Sequence, residues 1–228
     1  YVEAYDEFVA VSKKVKDEFV ERCLEFENRA FVAYNVLDKK EIRGKAILAI
    51  DDPIFTETSS FKILTIGRFT NQKGIDLAIE ACKKLKENSI EFQWYLIGWG
   101  TEEEKYRSLI REYELEKVFI ILGRKDNPYP YIKMCDLYVQ PSRHEAFPLT
   151  IMEAKILCKP LLATDFAGAS EQITNNVNGM IVPVNDIEAL ANGIAELVQS
   201  DYIRNLYVKN LLKEDRNDSA WEIILSHF

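Results

Sequence analysis

The chain has 228 residues, is 47% hydrophobic and carries 29 basic against 37 acidic side chains, a formal charge of −8, with a pI near 5.0. That apolar content is ample for a real core, and an acidic balance without a basic face argues against nucleic-acid binding. No apolar run approaches the ~20 residues that span a bilayer, nothing at the start resembles a signal peptide, and four scattered cysteines with two histidines offer no zinc-ligand spacing, so the cysteines read as buried thiols of a cytoplasmic protein.

In chain order, residues 8–12 read as a strand, 13–27 as a helix and 30–34 as a second strand leading to Asn35 and Asp38. Residues 1–40 stand apart from the rest of the chain, and the start at Tyr1 suggests a piece of a longer protein. Residues 41–60 read as a linker and loop. Its Asp51-Asp52-Pro53 pair only superficially resembles a carboxylate site and is assigned no chemistry.

A doubly wound pattern begins at residue 61. Residues 62–67 form a buried strand, 68–74 a basic loop, and 75–88 an amphipathic helix with Ile75, Ala78, Ile79, Cys82 and Leu85 at helical spacing. Next come a strand over 92–97, the turn Gly98-Trp99-Gly100, and a helix over 101–114 opened by a capping box of Thr101 and Glu104. A strand over 118–122 ends at Gly123 and Arg124, and a short irregular or helical piece starts at 127–131. Asp136 then leads into a strand over 137–140. Beyond it lie a strand over 160–164, a turn at Asn178-Gly179 into 180–182, and a helix capped by Asp186 that runs to about residue 200. Strands alternating with helices at these lengths imply an α/β domain over 61–213, with a mostly parallel, Rossmann-like sheet of about six strands and helices on both faces. Residues 214–228 form a final crossover helix whose Trp221, Ile223, Ile224, Leu225 and Phe228 make an exposed apolar face.

The most informative run is 141–154, Pro-Ser-Arg-His-Glu-Ala-Phe-Pro-Leu-Thr-Ile-Met-Glu-Ala. It places Glu145 in a loop at a strand's carboxyl edge and Glu153 about one turn into a helix that Pro148 opens. Open parallel sheets bind ligands at that edge, and the free amides of Leu149, Thr150 and Ile151 face it with the positive end of the helix dipole. Taken alone, both glutamates are equally at home as solvated first-turn acids. Corroboration comes from Arg68 and Lys73, which bracket a loop at the same edge. Two cations there form a local anion site against the global charge, and Gly67 and Gly74 allow close backbone approach. As an isolated pair they would be ordinary surface cations.

Gly67-Arg68, Lys73-Gly74 and the run from Ser142 through Glu145 to Glu153-Ala154, in this order and at these separations, resemble the C-terminal, donor-binding half of retaining glycosyltransferases of the GT-B fold, family 4 or group 1 type. The resemblance covers roughly residues 60–200. It implies that Arg68 and Lys73 hold the nucleotide diphosphate, that Glu153 holds the ribose hydroxyls, and that Glu145 approaches the donor sugar and phosphate. Gly67, Phe147, Pro148, Leu149 and Thr150 complete the cradle, and Arg124 lies by the nucleobase. Glu145, Arg68 and Lys73 are the catalytic candidates; Gly168 is a secondary one, the Gly98-Trp99-Gly100 turn a weak one, and Glu171 reads as a helix cap. Where relatives usually carry glycine after the first glutamate, this chain has Ala146.

The resemblance further implies transfer of a sugar from a nucleotide-diphosphate sugar to a hydroxyl with retention, in surface polysaccharide or glycolipid synthesis, with no metal or other cofactor required. Residues 1–40 would then be the remnant of an N-terminal acceptor domain that is otherwise missing. Membrane association, peripheral at the inner face, would run through that domain. His144 reads as structural or sugar-facing rather than as a proton carrier. Two alternatives stay open: a nucleotide-sugar-binding module without turnover, and a GT-B nucleotide-sugar epimerase.

Overall fold

The computed structural model describes residues 5–225, with side chains described for residues 5–215. A small two-stranded unit comes first: β1 (Phe8–Ala10), α1 (Lys13–Arg22), a 3-10 turn (Leu24–Arg29) and β2 (Ala30–Val32), the two strands parallel. Ser12 ends the strand early because its side chain accepts the Val15 amide as the N-cap of α1.

Half of the stretch read as linker and loop, 41–60, is helical. Asp38 caps α2 (Lys39–Ala46) by accepting the Glu41 amide, and α3 (Pro53–Thr56) begins on proline. Phe55 is fully buried, with its ring centroid 4.7 Å from that of Tyr95 and 4.9 Å from that of Tyr131. Asp52, to which the sequence assigns no chemistry, pairs with Lys125 at 2.7 Å and accepts the Tyr131 hydroxyl at 3.2 Å. Composition hid these helices because each rests on tertiary packing rather than on a long apolar period.

Six parallel strands form the main sheet: β3 (Lys62–Ile66), β4 (Gln93–Ile97), β5 (Phe119–Gly123), β6 (Leu137–Gln140), β7 (Leu161–Thr164) and β8 (Met180–Val182), in the order β5-β4-β3-β6-β7-β8. Their apolar runs are buried on both faces, as parallel sheets require. On one face α4 (Ile75–Glu87) and α9 (Ile187–Gln199) pack together with α5 (Glu103–Glu112). The positions 75, 78, 79, 82 and 85 of α4 are all buried there. On the other face lie α2, α3, α6 (Tyr129–Met134), α7 (Leu149–Ile156) and α8 (Ala169–Gln172), with α10 (Asp201–Leu225) contacting α7. Burying each large aliphatic of these clusters is worth ~1.5–3 kcal/mol, and the two-faced core fixes the strand order that builds the site. The apolar residues expected on the last helix have side chains outside the described residues.

Two local expectations fail. Thr101 and Glu104 form no capping box: α5 starts at Glu103, its N-cap is Glu102, and no side chain caps it. The Glu102 amide donates to the Phe69 carbonyl, which ties the N-cap of α5 to the β3 loop one residue beyond the expected start. Of the four cysteines, Cys82 and Cys135 are buried, whereas Cys23 and Cys158 are only partly so.

Candidate functional site

The strand order reverses direction between β3 and β6, so the chains leaving these two neighbours diverge and open a crevice at their carboxyl ends. The loop after β3 carries Arg68 and Lys73, and the loop after β6 carries Glu145. Phe69 anchors the first loop. It is fully buried, its ring lies edge-on 5.9 Å from that of Tyr106, and its amide donates to the Trp99 carbonyl at 2.8 Å. With Phe69 turned inward, its neighbour Arg68 is exposed and makes no ion pair among the described residues. A short 3-10 turn (Asn71–Lys73) then brings the chain back, ending at Gly74 in the left-handed region.

Gly74 is where the loops meet. A Cβ placed there would stand 2.0 Å from the Pro141 carbonyl oxygen. Arg143 ties the same two segments. Its guanidinium donates two parallel bonds to Asp76, both 2.7 Å, and further bonds to the Asn71 carbonyl and to Asn185, while its amide donates to the Gln72 carbonyl. Burial pushes the Asp76 carboxyl up, but the Arg143 hydrogen bonds and charge outweigh it and hold the group below its ordinary value.

Lys73 Nζ donates to Glu145 Oε1 at 2.5 Å, with the glutamate side chain 9% exposed. Ser142 Oγ and Gln140 Nε2 donate to the same oxygen, at 2.8 and 3.3 Å. Sequence reasoning thus chose both charged partners but missed the buried support. Gln140 and Arg143 were legible only as strand end and loop filler, and nothing in their spacing marks a role.

Pro148 is the N-cap of α7 rather than a residue within its first turn, since its ψ of 124° is extended. No side chain caps that helix, so the amides of Leu149, Thr150 and Ile151 remain available, with Leu149 exposed. The Thr150 hydroxyl donates to Gln140 Oε1 at 3.0 Å. Glu153, part-buried on α7, accepts the Tyr129 hydroxyl at 3.4 Å; burial raises its pKa, and the tyrosine hydrogen bond lowers it by less.

Other predicted positions fall outside this cluster. Arg124 is exposed and pairs with Asp126 at 3.5 Å. It follows β5, two strands from β3, roughly 10 Å away at the usual strand spacing. Phe147 packs its ring 5.3 Å from that of Tyr34. Glu171 does cap a helix, but a distant one: it accepts the amides of Lys13 and Lys14 at 2.8 and 3.0 Å and the Tyr34 hydroxyl, latching the N-terminal unit to the sheet domain. The Gly98-Trp99-Gly100 turn supports the β3 loop, because a Cβ at Gly98 would meet the Gly67 carbonyl at 1.9 Å. His144 is exposed, and its carbonyl accepts from Gln72. Among the described residues, no cluster of His, Cys, Asp and Glu could hold a metal ion, and no helix is long and apolar enough to cross a membrane.

A parallel Rossmann-like sheet with a basic loop and an uncapped helix N-terminus at its switch point defines a doubly wound α/β protein whose crevice suits an anion. The sequence model of the family described as glycosyl transferases group 1 matches residues 49–213, and the chain belongs to that family. It is 33% identical over 159 residues to WcaL of Escherichia coli strain K12, a glycosyltransferase named for colanic acid biosynthesis, covering 65% of this chain and 39% of that protein. It is 29% identical over 219 residues to an uncharacterized glycosyltransferase, MJ1178, of Methanocaldococcus jannaschii, covering 95% and 56%. The fold matches Anabaena Alr3699/HepE, solved in complex with UDP, with a TM-score of 0.79 at 19% identity, over 97% of this chain and 64% of that one. The chain therefore spans about half the length, or less, of these curated relatives.

Proposed function

We propose that the chain is the nucleotide-sugar half of a glycosyltransferase that moves a hexosyl group from a nucleoside diphosphate to a hydroxyl, with retention, in the assembly of a surface polysaccharide or glycolipid. One observation carries this reading: the fold brings Arg68, Lys73, Glu145 and the free amides of α7 to one crevice from separate parts of the chain. A diphosphate there meets two cations and a helix dipole, and Glu153 is left to accept the ribose hydroxyls. When the bond from the anomeric carbon to the diphosphate oxygen breaks, its electron pair stays on the diphosphate, while the acceptor oxygen bonds to that carbon and its proton passes to the leaving diphosphate oxygen. Arg68, Lys73 and the amides stabilise that charge, a large catalytic term for preorganised donors. Glu145 faces the sugar. The complex of HepE with UDP supports a uridine nucleotide as the first candidate donor. The acceptor is bound by a further domain of the longer protein, which also carries any contact with a membrane; turnover is a property of that whole.

The test is calorimetric titration of this chain with UDP, GDP, ADP and UDP-glucose, beside Lys73→Ala and Glu153→Ala. Binding of one nucleotide family, weakened at least tenfold by both substitutions, is the expected result. A folded wild-type chain that binds none of them refutes the reading.

A further inference from the structure

Beneath the proposed donor site lies a buried polar network whose hub is Gln140, the last residue of β6 and 1% exposed. Its amide nitrogen donates to Ser142 Oγ at 2.8 Å and to Glu145 Oε1 at 3.3 Å. Its amide oxygen accepts the Tyr138 hydroxyl at 2.6 Å and the Thr150 hydroxyl at 3.0 Å. A glutamine side chain has two donor hydrogens and two acceptor lone pairs, so every valence is used. Exchanging the amide's oxygen and nitrogen would set a carbonyl oxygen against the Glu145 carboxylate, which fixes the orientation.

Packing alone does not call for an amide here. An apolar side chain of the same length fills the same space, whereas a buried amide is tolerated only when fully bonded. The bonds run to the two parts of the site that must keep register: the loop bearing Glu145 and the first turn of α7 bearing Thr150. At the far end, three donors converge on one oxygen of Glu145. Lys73, Ser142 and Gln140 all bond Oε1, and Oε2 has no protein partner among the described residues. The terminal torsion of a glutamate is broad and two-fold, so these donors, not the rotamer, fix the plane of the carboxylate.

We propose that Gln140 is a positioning residue for donor-sugar recognition: anchored on Tyr138 and Thr150, it holds Glu145 Oε1 back and leaves Oε2 to accept a hydroxyl of the sugar. This inference rests on the reading of the site as a nucleotide-sugar pocket. Its specific content is that Gln140 acts on the sugar end and not on the nucleotide end.

The experiment titrates wild type, Gln140→Met and Gln140→Glu with UDP and UDP-glucose, and with GDP and GDP-mannose, and follows folding by circular dichroism and urea unfolding. The methionine keeps length and bulk without any hydrogen bond. The glutamate keeps the acceptors for Tyr138 and Thr150 and replaces the amide's two donors by a single proton shared with the Glu145 carboxylate it faces, so it decides the matter where the methionine variant does not fold. Expected is a nucleoside diphosphate affinity within about threefold of wild type in both variants, with sugar-nucleotide affinity at least tenfold weaker. Equal losses for the diphosphate and its sugar conjugate, or no loss for either, overturn the positioning role while the pocket reading stands. A folded wild-type chain that binds neither nucleotide family overturns the pocket reading and this inference together.

Discussion

Gly74→Ala tests whether the two loops of the site must touch. Gly74 has φ 62° and ψ 29°, a conformation that costs an L side chain ~1–2 kcal/mol. A Cβ there also lies 2.0 Å from the oxygen and 3.0 Å from the carbon of the Pro141 carbonyl. Both are backbone atoms, so no rotamer change relieves the clash and the loops must part, an overpacking cost of ~1–3 kcal/mol. The sum, ~2–5 kcal/mol, lowers the melting temperature by on the order of 10 °C in a chain of this size. Because Lys73–Glu145 and Arg143–Asp76 span the same gap, nucleotide affinity falls at least tenfold, allowing ~1.4 kcal/mol per decade. Urea unfolding and calorimetric titration read the two effects. Gly67→Ala is the control: its Cβ lies 3.4 Å from the flexible Lys73 side chain, and its cost stays below ~1 kcal/mol. A Gly74→Ala variant within ~0.5 kcal/mol of wild type, with unchanged affinity, refutes the reasoning.

Glu153→Gln stabilises the folded chain at neutral pH and weakens nucleotide binding ~10- to 100-fold, the worth of charged hydrogen bonds to hydroxyls. Burial raises the folded-state pKa of Glu153, so its ionisation costs stability as pH rises from the unfolded value through the folded one, and denaturation across that window reveals a penalty the variant lacks. At Glu171, burial is outweighed by the Lys14 and Lys13 amides and the Tyr34 hydroxyl, which hold its pKa below the ordinary value. That latch is complete above the unfolded carboxylate pKa and is lost as pH falls through the folded one; Glu171→Ala removes it at any pH, seen as faster hydrogen exchange at Lys13 and Lys14 with the α4 amides unchanged. Arg143→Ala costs ~1–3 kcal/mol, discounted from a fully buried pair because both partners keep some exposure. It also flattens the acid limb of the stability profile, since the depressed pKa of Asp76 depends on that guanidinium; an unchanged acid limb refutes this assignment.

The elements legible in the sequence were those whose pattern is local and repeated. The helical period of Ile75, Ala78, Ile79, Cys82 and Leu85 mapped onto the buried face of α4, and the alternation of apolar runs with helices after residue 61 gave the six parallel strands. The family was legible from the order and separations of charged residues in two loops, since each of them alone reads as an ordinary surface charge. What stayed hidden depends on long-range partners. Phe55 makes α3 a core element only because Tyr95 and Tyr131 receive it. Thr101 is not a cap because the helix starts one residue later than the sequence pattern implies, with Glu102 as N-cap and its amide tied to the Phe69 carbonyl. Glu171 caps a helix more than 150 residues away in sequence, and Gln140 sits in a strand where a polar residue carries no periodic signal.

The pairing of Lys73 with Glu145 changes how the anion site works. The charges of Lys73 and Glu145 offset each other at 2.5 Å, so the crevice offers Arg68 and the α7 amides as its uncompensated positive groups. A small anion arriving there must compete with a carboxylate held by three donors, which disfavours free phosphate. On the proposed reading a nucleotide sugar brings compensation with it: its diphosphate meets Arg68, Lys73 and the helix, while its sugar hydroxyls and the Ser142 and Gln140 donors satisfy the Glu145 carboxylate. Under the proposed function, the charge that looks self-cancelling in isolation thus favours a ligand that is anionic at one end and hydroxylated at the other, as a nucleotide sugar is.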